Sequence, residues 1–74
     1  MKPIAARLEA SRISALQSKE AGVVLKKYLT KYDSEYVQNI LYRLQDYDRK
    51  RHGQDDSWWL EMMYEAGESV SNLF

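Results

Sequence analysis

Two adjacent tryptophans, Trp58 and Trp59, followed by Glu61, Glu65 and Glu68, are the residues of this sequence best equipped for recognition. Indole rings give large, stiff contact area, and neighbouring carboxylates orient a basic partner and speed its approach. Consecutive residues on a helix stand about 100° apart, so one narrow stripe cannot bury both rings. Trp59 shares a face with Met62, Met63 and Ala66 and reads as core. Trp58 lies nearer the glutamates and reads as an exposed anchor inside a charged rim. The expected partner-binding set is therefore Trp58, Glu61, Met62 and Glu65, and removing the Trp58 ring should abolish binding while sparing the helices.

Other chemistry-bearing groups are weaker. Tyr28, Tyr32 and Tyr36 step by four along one helical face beside lysines, a spacing that suits base stacking or a protein hot spot. The ordinary role of such tyrosines, ring at the core margin and hydroxyl in water, is the preferred reading. Arg49, Lys50, Arg51 and His52 form the one basic cluster, but Asp46 and Asp48 precede it, and cations there suit a helix C-terminus. Asp46 to Ser57 begins like a calcium loop and then fails: Arg51 stands where glycine is required and Ser57 where a bidentate glutamate belongs. His52 is the single histidine and there is no cysteine, so zinc lacks ligands. No glycine-rich phosphate loop, nucleophile elbow or His-Glu-x-x-His occurs. Asp55 and Asp56 read as helix caps rather than a proton-sharing pair. The expectation is a non-enzyme with no cofactor and no metal.

The chain that must position these groups has 74 residues, so it buries only about 60% of its unfolded surface and needs a tight core or a second copy. Without cysteine there is no disulfide to staple it. No stretch has the length of apolar sequence that a signal peptide or membrane span needs, so the expected setting is cytoplasmic, with no membrane partner. Eleven basic and eleven acidic residues cancel, yet residues 1 to 32 hold seven bases against two acids, and the remainder four against nine. After His52 there is no lysine or arginine at all. The halves are expected to neutralise each other, within one chain or head to tail in a dimer.

One proline, three glycines and abundant helix formers predict an all-α fold, one domain over residues 1–74: a small bundle of three to four short helices, completed within the chain or by homodimerisation. The helices are expected at roughly 3–17, 19–32, 34–52 and 57–70. In the first, Ala6, Ala10 and Ser14 recur every fourth residue and permit close helix approach, although this often reflects propensity alone. Ser18 is expected to cap the second, whose Leu25, Tyr28, Leu29 and Tyr32 make one stripe, while Gly22 weakens it without breaking it. Asp33 should cap the third, with Tyr32 and Val37 stapled across the cap and Val37, Ile40, Leu41 and Leu44 facing the core. Gly53 should stop it and Gly67 is able to end the fourth early, leaving Val70 to Phe74 as a frayed turn or an apolar hook.

On this reading the chain is a small interaction protein, an adaptor, regulator or stoichiometric inhibitor, that binds another protein through its acidic, aromatic C-terminal helix. A basic nucleic-acid enzyme is one conceivable target. The rival reading is a dimeric nucleic-acid-binding regulator using Lys26, Lys27, Lys31 and the Arg49 to Arg51 cluster. A third is a structural oligomer in which Trp58 and the tail fill a self-interface.

Overall fold

A computed structural model describes the backbone from Pro3 to Phe74 and the side chains from Ala5 onward; Met1 and Lys2, one of the seven bases counted above, lie outside the described residues. Four helices and one short turn of helix follow in order: α1 (Pro3–Ser14), α2 (Ser18–Lys31), α3 (Ser34–His52), α4 (Ser57–Ala66) and α5 (Glu68–Ser71). The fold is a small all-α bundle, with no strand among the described residues.

Pairing skips one helix each time: α1 packs chiefly on α3, and α2 chiefly on α4. At 1.5 Å per residue α3 is about 28 Å long, close to the 31 Å long dimension of the molecule, so it spans the protein end to end. Ile40, Leu41 and Leu44 of α3 meet Ile13, Leu25, Met62 and Val70 in a core from which water is excluded.

The small residues of α1 turn out to be its packing face. Ala6, Ala10, Ile13 and Ser14 are buried, whereas Leu8 is largely exposed, which explains the irregular spacing of large apolar residues in that helix. The helix ends at Ser14, three residues before the expected limit. Ala15 and Leu16 instead donate to the carbonyls of Arg12 and Ile13, tightening the last turn before the chain reverses. Residues 3–32 are thus two helices.

Ser18 does not cap α2. That position belongs to Gln17, which makes no side-chain cap bond, and the Ser18 hydroxyl is free to donate across to the Glu61 carboxylate on α4. At Asp33 the cap forms as its chemistry dictates, the carboxylate accepting from the Tyr36 N–H at 3.0 Å. Beside this cap the half-exposed Tyr32 ring packs edge-on against Tyr28 at 5.2 Å and Tyr36 at 5.1 Å. Of the three residues able to cap α4, Asp55, Asp56 and Ser57, it is Asp55 that accepts the Ser57 N–H, at 3.0 Å, while Asp56 makes no side-chain cap bond.

Gly67, at φ 87°, ends α4 four residues earlier than expected and lets the chain turn into α5. The tail is then a hook. Val70 is buried, the Gln38 side chain donates to the Leu73 carbonyl at 2.6 Å, and the Phe74 ring lies edge-on to Tyr42 at 5.4 Å and Trp59 at 5.6 Å.

One tyrosine of the α2 stripe also ties helices together. The Tyr28 hydroxyl donates to the Glu9 carboxylate of α1. Burial, and then that bond to a carboxylate, push its pKa from 10.0 up to about 12. Burial raises the Tyr36 phenol as well, with Glu9 adding to the effect. Because the folded chain holds the Tyr28 proton more tightly than the unfolded chain, its stabilising contribution is complete below about pH 10 and is lost as the pH rises towards 12. Denaturant midpoints should therefore fall across that interval, and an ultraviolet absorbance titration should show a late-ionising phenol that Tyr28→Phe removes. A Tyr28 that ionises with free tyrosine would contradict the contact.

Candidate functional site: the exposed face of α4 and the C-terminal hook

The position of each α4 side chain follows from Met62, which is fully buried together with Ala66. At about 100° per residue, Trp58 and Trp59 fall roughly 40° and 60° to either side of Met62, whereas Leu60 and Tyr64 lie roughly 160° away on opposite sides. Both tryptophans are accordingly half-buried, one on each flank of the helix, and Leu60 and Tyr64 point to solvent.

The flank holding Trp58 is a built tertiary contact, which corrects the expectation of an exposed anchor. The indole N–H donates to the Leu16 carbonyl at 3.0 Å, capping the turn between α1 and α2. The ring stacks on His52 at 4.8 Å with 14° between planes, and His52 Nδ1 lies 2.9 Å from Oδ1 of the buried Asp48. Trp58 therefore joins the end of α1, the end of α3 and the start of α4. Of the expected binding set, Met62 is also corrected, because a residue with no exposed surface touches no partner. Glu61 is exposed and holds Ser18, and Glu65 is half-buried where α4 crosses α2.

Next to this contact lies a hollow of about 460 Å³ lined by Ser18, His52, Asp55, Ser57, Trp58 and Glu61. A histidine held by a carboxylate has the arrangement of a general base with its orienting group. Neither serine completes it. Ser18 donates to Glu61, Ser57 is engaged with Asp55, and no hydroxyl bonds to His52. Among the described residues, no group of three metal-ligating side chains comes together.

The other flank and the outer face of α4 are where apolar surface stays open. Tyr64 is 83% exposed, Leu60 64%, Tyr42 51% and Phe74 48%. Trp59 and Met63, half-buried, connect them: Phe74 packs on both Trp59 and Tyr42, and Met63 lies between Trp59 and Leu60 on the helix surface. Glu61, Glu65 and Glu68 border this arc, and no lysine or arginine occurs on α4 or beyond. The sequence carries the signal for Leu60 and Tyr64 in their placement opposite Met62 and Ala66 on the helix.

Among the described residues no ion pair joins the two charge halves. Among the described residues the contacts between oppositely ionisable groups are Arg12–Glu9 at 3.5 Å and His52–Asp48 at 2.9 Å, and neither links residues 1–32 to the rest. Part of the rival basic set is divided along α3. Lys31 ends α2 beside the N-terminus of α3, whereas Arg49, Lys50 and Arg51 sit at the opposite end of that long helix. Among the described residues, no helix is long and apolar enough to cross a membrane. In comparisons with protein-family models, with curated proteins and with solved structures, nothing matches this chain.

Proposed function

We propose that this chain is a small stoichiometric protein-binding module, an adaptor, regulator or inhibitor of the cytoplasm, that engages a basic partner through the outer face of α4 and the C-terminal hook. The observation that carries this reading is the continuous exposed arc of Tyr42, Phe74, Leu60 and Tyr64, centred on α4, a helix whose charged residues are all acidic. Exposed aromatic and aliphatic anchors inside an acidic rim are the composition of a protein interface, and the rim gives orientation and association rate. Trp59 supports the arc from below. A nucleic-acid enzyme is one partner class that fits, because its basic surface evolved to meet a negative one.

The test is capture from a nuclease-treated lysate with the native chain and with the Leu60→Ser/Tyr64→Ser variant. Both residues are exposed, so the variant should keep its melting temperature while retention of the partner falls at least about tenfold, as loss of a hot-spot pair would give. A partner held equally by both forms would place the interface elsewhere. Retention of the chain's own second copy alone would make the face a self-interface.

A further inference from the structure

On the α1–α3 pair, separate from the α4 face, the side chains of Arg7, Arg43, Asp46, Tyr47 and Lys50 line a cleft of about 320 Å³. Residues 43, 46, 47 and 50 share one face of α3 because they recur every three to four positions, and Arg7 reaches the same cleft from α1. Three cations thus converge around one carboxylate. Among the described residues, Asp46 lies within ion-pair distance of none of them, and no acceptor bonds the half-buried Arg43 guanidinium. The Lys50 ammonium sits 6.0 Å from the centre of the Tyr47 ring, at the outer limit of a cation–π contact.

A guanidinium keeps its charge throughout the working pH range, and its planar N–H fork matches two oxygens of a phosphoryl group. Partial burial strengthens its attraction for an anion, since the surroundings are less polar than water. We propose that this cleft binds a phosphoryl group, with Arg43 gripping two of its oxygens, Arg7 and Lys50 neutralising the remaining charge, and the Tyr47 ring beside whatever the phosphoryl group is attached to. Asp46 opposes binding and keeps the affinity modest. The assignment is independent of the α4 surface, so either can fail alone.

Heteronuclear NMR titrations of the full chain with inorganic phosphate, pyrophosphate and adenosine monophosphate at low ionic strength test it. The expected result is saturable shifts centred on Arg7, Arg43, Tyr47 and Lys50, tighter for pyrophosphate than for phosphate, and weakening as chloride is added. Adenosine monophosphate exceeding phosphate assigns the site to nucleotides, and equal affinity assigns it to the phosphoryl group alone. Arg43→Gln should weaken binding by at least about tenfold, since even one charged hydrogen bond is worth that much and Arg43 makes two. Asp46→Asn, at an exposed position that leaves the fold intact, should tighten it. Shifts that merely track ionic strength, or affinities that neither substitution alters, would overturn the proposal.

Discussion

Gly22→Ala is expected to destabilise this protein by about 2 to 3 kcal/mol and to lower its melting temperature by at least about 10 °C. The sign is the opposite of what helix propensity gives. Gly22 lies inside α2, not at an end, and alanine in a helix interior ordinarily stabilises by about 1 kcal/mol. Here a Cβ would stand 2.5 Å from the Met62 carbonyl oxygen, 2.6 Å from the Glu65 Cβ and 2.9 Å from the Ala66 backbone nitrogen. Two of these atoms are backbone of α4, so no side-chain rotation relieves the clash. The helices must move apart, and that opens the contacts of Met62 and Ala66, both buried between them. Thermal and urea unfolding of the variant measure the effect. A stability equal to or above that of the native chain would mean that α2 and α4 do not cross at Gly22.

Trp58→Ala is expected to cost about 3 kcal/mol, at the lower end for a tryptophan truncation because the ring is half-buried. Three things are lost together: the bond to the Leu16 carbonyl, the stack on His52 and the packing beside Met62. Trp58→Phe separates them. The phenyl ring retains most of the stack and leaves the carbonyl without its donor, so about 1 kcal/mol should be lost. Chemical denaturation of the pair gives both values, and unchanged stability in Trp58→Ala would restore the exposed anchor that the sequence alone implied.

That reversal shows what the sequence holds and what it does not. The third helix was legible throughout: Asp33 caps it, Val37, Ile40, Leu41 and Leu44 are its buried stripe, and Gly53 ends it. Each of these signals is local, set by residues within one or two turns. Periodicity also gives correct angles around α4, but angles do not name neighbours. Whether Trp58 meets solvent depends on the Leu16 carbonyl 42 positions away, at a turn whose place was uncertain until α1 ended at Ser14. Gly22 reads as a weak point in a helix when seen alone and as a required close approach only once α4 lies across it. The Arg7–Arg43 cleft likewise joins residues from two helices that nothing in either segment identifies as partners.

In the proposed function, α4 recognises its partner with the outward Leu60 and Tyr64, while Trp58 holds the fold. Calorimetric titration of the captured, purified partner with Tyr64→Ser and Trp58→Phe tests this most directly. The predicted result is affinity reduced at least about tenfold in Tyr64→Ser with an unchanged melting temperature, and native affinity in Trp58→Phe despite its lower stability. Native affinity in Tyr64→Ser combined with lost binding in a folded Trp58→Phe would contradict it.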